Sequence, residues 1–320
     1  MPKILKAVAF TLVVALWAAT AQAQPTITCN DASATNDGAI TTWDFTGGAV
    51  VGSFVPTGAM IGDANGRGVE VIGNKVYYTE VDTDGGYATD FIRIAPYNGG
   101  AGGADIGTLP NPRPGFGVQD ITISNGVLYV LTGYPFSTPE VFGLNPLTGA
   151  VVSGPITISA PAAPDSDGFT VMPNGNFIIN EGDASCTYDQ YNPSTGAMIP
   201  GTTIVVPGCI VGIGTGTTGV ETNGKSLFFA NAFDAFVETT LAGTFIAAQA
   251  VSPNACEDIS LDQPGCIGAP GAVPGNPNCH GKCISFLAQT DGGIKKAAGD
   301  LGYASVKDLQ DAVKDFCAGE

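Results

Sequence analysis

The sequence has 320 residues, of which 29 are acidic and 12 are basic, giving a formal net charge of −17. Nucleic acids and anionic lipid surfaces are bound largely through Lys and Arg, so this charge argues against both as partners. Residues 24–278 carry 23 acidic and five basic side chains, whereas residues 279–320 are almost neutral. The acidic part could attract cations, or its charge could serve solubility alone.

The amino-terminal segment has the pattern of an export signal. Lys3 and Lys6 precede an uncharged apolar run over residues 7–19, and Ala21-Gln22-Ala23 follows as a small-x-small cleavage site. The pattern predicts a signal peptide over residues 1–23 and a secreted or periplasmic mature chain. A transmembrane anchor is the alternative, but the apolar run is shorter than the roughly 20 residues needed to cross a bilayer. We expect no membrane span after cleavage.

A repeat of about fifty residues begins with a tight turn followed by an apolar strand. The turns are Gly73-Asn74, Asn125-Gly126, Asn174-Gly175 and Asn223-Gly224, types that favour the positive φ of a hairpin. We take one apolar residue after each turn as equivalent, namely Val76, Leu128, Phe177 and Leu227. Successive members of this set are 52, 49 and 50 residues apart.

A second hairpin lies between these turns. Asn145-Pro146-Leu147-Thr148-Gly149 and Asn192-Pro193-Ser194-Thr195-Gly196 are nearly identical, and residues 44–51 and 241–245 are weaker copies. Two hairpins per repeat make a four-stranded unit, the size of a propeller blade. The sequence therefore predicts an all-β fold over residues 24–266, a β-propeller of about five blades, with four to six open.

The two ends of this region predict how the ring closes. The chain begins with a second hairpin at 39–56 and no first hairpin before it, and Glu257–Asp262 resembles the first strand of another blade. We therefore expect one composite blade built from both ends.

The carboxyl-terminal part differs in composition. Residues 267–278 form a Gly/Pro linker, and residues 279–320 form a small cysteine-containing helical module with three short helices. Ser305 and Asp308 resemble a capping box before the third helix. In that helix Val306, Leu309 and Val313 share one face, which predicts a core of the module, with docking of a partner as the alternative.

The eight cysteines all follow the predicted cleavage site, which favours disulfides over a zinc or haem site. Closeness in the chain predicts the pairs Cys186–Cys209 and Cys256–Cys266. Cys317 is expected to pair with Cys279 or Cys283, and Cys29 with the cysteine left over.

The scarcity of histidine narrows the chemistry. His280 in the module is the one histidine, so a Ser-His-Asp triad and a multi-histidine copper or zinc site within the propeller are excluded. We expect no nucleotide, haem or copper. Carboxylate and amide oxygens remain, which suit calcium or acid/base work.

The stretch from Asp167 to Ile179 resembles the repeated motif of gluconolactonase-like and NHL-type propellers. In the lactonases the motif's aspartate holds a catalytic divalent cation at the channel mouth, so the resemblance implies Asp167 as a metal ligand. It implies Glu70 as the early glutamate of the same site. Where the family has Asn-Asp and Asn-Gly, this chain has Gln119-Asp120 and Thr218-Gly219.

Further acidic groups are candidates for binding. Glu80, Asp82 and Asp84 precede Gly85 at alternate positions, as at the start of a calcium loop, or they belong to an acidic hairpin turn. Repeated strand ends converge on one face of a ring and could line its channel, or their side chains could brace the loops between blades. The candidates at such ends are Asp165, Asn180, Glu181, Asp183, Asn231, Asp234, Glu257 and Asp258.

Two functions follow from these patterns. The first is an exported propeller that binds or scaffolds an unknown small molecule or protein. The second is a divalent-cation-dependent hydrolase of the lactonase or esterase kind, with its site at the channel mouth. There Asp167 would hold the metal, and Glu181 or Asp183 would act as base for the attacking water.

Overall fold

The computed structural model describes residues 26–31, 38–56, 64–72, 75–82, 89, 91–98, 100–182, 185–209, 217–231, 235–251, 256–262, 277–290, 292–300 and 305–318. Within these ranges the chain forms a five-bladed β-propeller followed by a small helical module. The predicted fold class is therefore confirmed.

The strands are short and follow one another along the chain. They are β1 (Thr26–Asp31), β2 (Ile40–Asp44), β3 (Val50–Phe54), β4 (Ala64–Ile72), β5 (Lys75–Asp82), β6 (Phe91–Asn98), β7 (Ala101–Gly102), β8 (Gly107–Pro110), β9 (Gly117–Ser124), β10 (Val127–Tyr134), β11 (Glu140–Leu144), β12 (Val151–Thr157), β13 (Phe169–Val171), β14 (Phe177–Asn180), β15 (Thr187–Tyr191), β16 (Ile204–Val205), β17 (Thr217–Thr222), β18 (Ser226–Asn231), β19 (Ala235–Thr240), β20 (Phe245–Ala250) and β21 (Cys256–Asp262). The helices are α1 (Cys279–Thr290), α2 (Ile294–Asp300) and α3 (Val306–Ala318).

Each blade is an antiparallel sheet whose strands run in order from the channel outwards. Blade 1 has the order β21-β1-β2-β3, and blade 2 contains β4, β5 and β6, the last paired with both β7 and β8. Blades 3, 4 and 5 are β9–β12, β13–β16 and β17–β20. The inner strands, β21, β4, β9, β13 and β17, contact one another in that order around the channel.

The predicted equivalence of the repeats is confirmed residue by residue. In the four complete blades the inner strand pairs Val69 with Tyr78, Ile121 with Val130, Phe169 with Ile179 and Val220 with Phe229. The residues two positions before these partners are Val76, Leu128, Phe177 and Leu227. The turns that precede them use positive φ at Gly126, Gly175 and Gly224, as an Asn-Gly hairpin requires.

The composite blade exists, but its division differs from the prediction. The carboxyl-terminal end supplies β21, as expected, whereas the amino-terminal end supplies three strands because β1 precedes the hairpin β2–β3. Ile27 of β1 pairs with Leu261 on one side and with Trp43 on the other. Strand β1 was missed because no turn signal precedes it.

The hydrophobic core lies between the blades. Among the described residues, one cluster of buried apolar side chains fills each of the five junctions between neighbouring blades, and a sixth lies inside the helical module. At the junction of blades 3 and 4, for example, Phe177 packs edge-on against Phe169 and Tyr129. A fully buried side chain of this size contributes roughly 1.5–3 kcal/mol.

The disulfides close the structure at three described places. Cys186 pairs with Cys209 and Cys279 with Cys317, as predicted. Cys256 pairs with Cys29, so the predicted pair with Cys266 is wrong. The reason is ring closure, which brings β1 and β21 side by side although 227 residues separate the two cysteines. Cys283 is also disulfide-bonded.

The helical module has its own core. Helices α1, α2 and α3 pack on one another around Cys283, Leu287, Leu309 and Val313. The predicted cap of α3 is confirmed, since the hydroxyl of Ser305 accepts from the backbone N–H of Asp308 at 3.2 Å.

The disulfides indicate an oxidising, extracytoplasmic environment. In the described part of the chain no helix is both long and apolar enough to cross a membrane.

Candidate functional site

The five inner strands place their residues in rings around the channel. Each strand has one apolar residue at the same level, and these are Val69, Ile121, Phe169, Val220 and Ile259. The residue just before it belongs to what we call the middle ring, which consists of Asp258, Gly68, Asp120, Gly168 and Gly219. The residue before that belongs to the mouth ring, which consists of Glu257, Arg67, Gln119, Asp167 and Thr218. The residue after it belongs to the lower ring, which consists of Ser260, Glu70, Thr122, Thr170 and Glu221.

The two aspartates of the middle ring join neighbouring blades. One carboxylate oxygen of Asp258 accepts from the backbone N–H of Val69 in blade 2, at 2.7 Å. In the same way Asp120 accepts from the backbone N–H of Phe169 in blade 4, at 2.5 Å. The other oxygen of each carboxyl accepts from the next backbone N–H of its own strand. These side chains therefore brace the ring as well as line it.

The glycines of the middle ring allow the inner strands to approach closely. A Cβ atom at Gly68 would lie 2.8 Å from the backbone nitrogen of Ile121, and one at Gly219 would lie 2.7 Å from the Cα of Asp258. Since both obstacles are backbone, they cannot rotate away. The spacing of blades 2 and 3, and of blades 5 and 1, thus requires glycine.

The carboxyl groups of Asp120 and Asp258 face each other inside the channel. Both side chains are buried, and they share a hydrogen bond across the ring. Burial raises the pKa of Asp120 well above its usual value, and the charge of Asp258 raises it further. Burial likewise raises the pKa of Asp258. The pair therefore holds a proton at a pH where an exposed aspartate is ionised.

A second carboxyl pair occupies the lower ring. Glu221 accepts hydrogen bonds from the hydroxyls of Thr170 at 2.8 Å and Thr122 at 3.1 Å, and its carboxyl also contacts that of Glu70. Burial raises the pKa of Glu221 to about 7. It raises the pKa of Glu70 as well, with further increases from the charges of Glu221 and Asp258. Two pairs of interacting carboxyl groups therefore lie in the interior of the channel, and burial raises the pKa of each group.

The mouth ring contains a buried cation of the protein itself. The guanidinium of Arg67 lies 3.1 Å from a carboxylate oxygen of Asp167 and 3.4 Å from one of Glu257. It also lies 4.4 Å from the centroid of the Tyr134 ring. Arg67 and Asp167 are almost fully buried, so the ion pair is weakly screened.

This arrangement bears on the divalent cation that the resemblance implies. A calcium ion at the mouth would need the oxygens of Asp167 and Glu257, which the Arg67 guanidinium occupies. Gln119 and Thr218, in the same ring, donate to the backbone carbonyls of Pro164 and Cys256. The side-chain oxygen of Gln119 is buried and has no hydrogen-bond partner among the described residues. The guanidinium of Arg67 therefore supplies the positive charge at the place where the resemblance implies a cation. Glu70 lies in the lower ring, where its partners are Glu221, Asp258 and Ser260 rather than Asp167.

The remaining candidates from the sequence are spread over the propeller. The amide of Asn180 donates to the carbonyls of Thr217 and Gly182, a bracing role between blades 4 and 5. Glu181 is half-buried and interacts with Asp189 on β15, and burial, then Asp189, raises its pKa. Asp165 lies beside Gly182 in the same loop region.

The candidate calcium loop is only partly described. Glu80 is buried on β5 and forms an ion pair with Arg93 at 3.7 Å, so it is a strand residue here. Asp82 ends that strand, and Asn231 ends β18. The side chains of these two, together with Asp84, Asp183 and Asp234, lie outside the described residues. The described residues contain no group of three or more His, Cys, Asp or Glu side chains with the geometry to hold a metal ion.

Several ring residues were not predicted as members of the site, among them Arg67, Asp120, Glu221 and Thr170. Arg67, Asp120 and Glu221 are single charges within buried strands, and Thr170 is a neutral hydroxyl in the same register. The available signal was the position of each charge next to the repeated apolar residue of an inner strand. Once the inner strands are aligned, these charges fall into rings.

A cavity outside the channel is the second concave feature of interest. It has a volume of about 870 Å³ and lies between helix α1 and the face of the propeller at which the inner strands end. Turns of blades 2 and 3 form one wall, and α1 forms the other, from its first turn to Gln289 near its end. We call it the module cavity.

Comparison with known proteins identifies no family for this chain. No protein-family model matches the chain, and no curated protein matches it. Among solved structures, the chain is similar to a glutaminyl cyclase from Myxococcus xanthus, with 14% sequence identity and a TM-score of 0.43. The match covers 67% of this chain and 83% of the cyclase chain. The chain is also similar to the WD40 propeller domain of Doa1, with 14% sequence identity and a TM-score of 0.34. That match covers 61% of this chain and 58% of the Doa1 chain.

Proposed function

We propose that the protein is an exported, non-catalytic propeller that serves as a ligand- or protein-binding module. The observation that carries this proposal is the ion-paired Arg67 at the mouth of the channel, between Asp167 and Glu257. A guanidinium has no exchangeable coordination position and cannot generate a metal-bound hydroxide. The charged side chains of the mouth ring are therefore engaged with one another.

The interior of the channel supports the same proposal. Asp120 and Asp258 are fixed by backbone N–H groups of two blades, and Glu70 and Glu221 are held by hydroxyls and by each other. These carboxyls are all buried, below a mouth ring that is itself mostly buried. Groups so fully engaged stabilise the ring, and a general base must instead reach a substrate proton.

One observation favours the hydrolase as a second candidate. Burial, and the neighbouring carboxyl of Asp189, raise the pKa of Glu181, which moves this half-buried glutamate towards the range of a general base. Its site would lie at the loops of blade 4 rather than in the channel.

Calcium binding and hydrolysis test the proposal together. We expect that calcium leaves the melting temperature of the protein unchanged and that a panel of lactones and esters is not hydrolysed. If turnover appears, Asp167→Asn and Glu181→Gln distinguish a specific site from a contaminant, with Asp44→Asn in an outer turn of blade 1 as the control. Metal-dependent turnover that Asp167→Asn abolishes and Asp44→Asn preserves would overturn the proposal.

A further inference from the structure

The module cavity has a charge opposite to that of the rest of the protein. Its lining contains Lys75, Lys282 and His280 and no acidic residue, in a chain where acidic side chains outnumber basic ones by 29 to 12. Within the described part of the chain neither lysine forms an ion pair. Two cations and a histidine therefore converge on one concavity without a compensating carboxylate.

The beginning of α1 adds to this positive potential. His280, Gly281 and Lys282 lie in its first turn and line the cavity, and that turn holds no acidic residue. The unpaired N–H groups at the start of a helix and its dipole both favour an anion there. Here the helix has twelve residues, and the disulfide Cys279–Cys317 ties its first residue to α3.

His280 lines the cavity, and one of its ring nitrogens lacks a hydrogen-bond partner among the described residues. The Nε2 atom of His280 is shielded from solvent, and no described residue forms a hydrogen bond with it. A buried ring nitrogen without a partner loses its hydrogen bond to water and gains none from the protein. A turn of the imidazole ring towards the cavity would let a ligand oxygen accept a hydrogen bond from this nitrogen.

The opposite wall is rigid and partly apolar. The hydroxyl of Tyr77 donates to the backbone carbonyl of Pro146 at 3.0 Å, which joins blade 2 to blade 3 across the floor of the cavity. Ile72 and Leu147 contribute apolar surface to this wall, and Phe286 contributes some on the side of α1. A volume of about 870 Å³ at the junction of two structural units is in the range that binds small molecules.

We infer that the module cavity binds a small organic anion, a carboxylate or phosphate ester carrying a short apolar body. Lys75, Lys282 and the start of α1 would hold the charged group, His280 would hydrogen-bond to it, and the apolar wall would contact the rest. The inference rests on the proposed binding function and names its ligand chemistry. The calcium and hydrolysis experiments test the proposed function at residues outside this cavity. The anion-binding inference can therefore fail while the proposed function stands, and the reverse is also true.

The single histidine gives a specific test. Phenyl phosphate, benzoate and the neutral benzyl alcohol are titrated into the tag-free protein, with the imidazole resonance of His280 and calorimetry as readouts. We expect saturable binding of at least one anion that shifts this resonance and weakens at higher ionic strength. Benzyl alcohol should not bind, and the stronger of the two anions shows whether a phosphate or a carboxylate is preferred.

Matched variants locate the charge. We expect Lys75→Gln combined with Lys282→Gln to raise the dissociation constant at least about tenfold, the effect of losing charge-assisted contacts. Lys225→Gln, an exposed lysine in the corresponding turn of blade 5, should change it less than about twofold. Melting curves confirm that the variants are folded. An unshifted His280, equal binding of benzyl alcohol, or an equal loss in Lys225→Gln would each overturn the inference.

Discussion

Cys29 and Cys256 are joined by a disulfide although 227 residues lie between them, and both belong to blade 1. The bond links β1 to β21 and so fastens the first strand of the propeller to its last. In a propeller that closes through a blade shared between its two ends, the ring stays closed only while the first and last strands remain paired. Without a disulfide, no covalent bond joins these two strands directly.

Removing this disulfide should lower the stability of the ring substantially. For the double variant Cys29→Ser with Cys256→Ser we expect a loss of about 5 kcal/mol in the free energy of unfolding, because the closed loop is long. Urea denaturation at neutral pH measures it. The control is Cys186→Ser with Cys209→Ser, whose loop spans 23 residues and for which about 3 kcal/mol is expected. A smaller loss at Cys29–Cys256 than at the control would contradict the closing role.

The channel carboxyls should make the protein less stable as the pH rises. Burial raises the pKa of Glu221 from 4.5 to about 7, so between these values the folded state holds a proton that the unfolded state has released. Stability is therefore highest below about pH 4.5 for this group and declines through about pH 7, by about 3 kcal/mol. Chemical denaturation at a series of pH values measures the slope.

Substitution of Glu221 isolates this contribution. Glu221→Gln keeps the side chain neutral and able to bond to Thr170, so we expect a flatter pH profile and higher stability above pH 7. Glu238→Gln on β19 is the control and should leave the slope unchanged. An identical slope in the wild type and Glu221→Gln would show that the lower ring does not titrate in this way.

Replacing the cation of the mouth ring should expose a site for calcium. Arg67→Met leaves Asp167 and Glu257 without their positive partner, and breaking a buried pair from one side costs about 3–5 kcal/mol. We expect calcium to restore part of the lost melting temperature in this variant and to have no effect on the wild type. Arg113→Met, which breaks a more exposed pair with Glu140, is the control and should lose about 1 kcal/mol or less.

The close approach of the inner strands predicts the effect of a single methyl group. Gly219→Ala would place a Cβ 2.7 Å from the Cα of Asp258, so blades 5 and 1 must separate, at a cost of about 1–3 kcal/mol or more. The matched change Gly107→Ala has its nearest neighbour at 3.8 Å and should be within about 0.5 kcal/mol of neutral. Thermal denaturation compares the two, and equal melting temperatures would refute the packing argument.

The blades were predictable from sequence because their turns are encoded locally. An Asn-Gly pair and an apolar strand suffice to place Val76, Leu128, Phe177 and Leu227 in register, and the structure confirms all four. Strand β1 and the pair Cys29–Cys256 were not predicted, because both depend on the meeting of distant ends. Closeness in the chain, the criterion applied to Cys256, fails wherever a ring closes.

The channel was harder to predict for a related reason. Asp167 and Asp258 were found as candidates, but Arg67 was not connected with Asp167, since the two are a hundred residues apart and in different blades. The sequence shows each inner strand alone, whereas the charge of the channel is a property of five strands together. The resemblance that pointed to Asp167 could not reveal which side chain lies opposite it.

The alternation of aspartate and glycine in the middle ring sets a limit on symmetry. Each aspartate has a glycine in the preceding blade, since a Cβ atom at Gly68 or Gly219 would meet the backbone of the strand that carries Asp120 or Asp258. A ring of five cannot alternate two residue types, so Gly168 is followed by Gly219. Five identical blades would place five carboxyls in one channel or remove every brace. Divergence among the repeats is therefore a requirement of this channel, and a propeller designed from a single averaged blade sequence would lack the device that holds this one together.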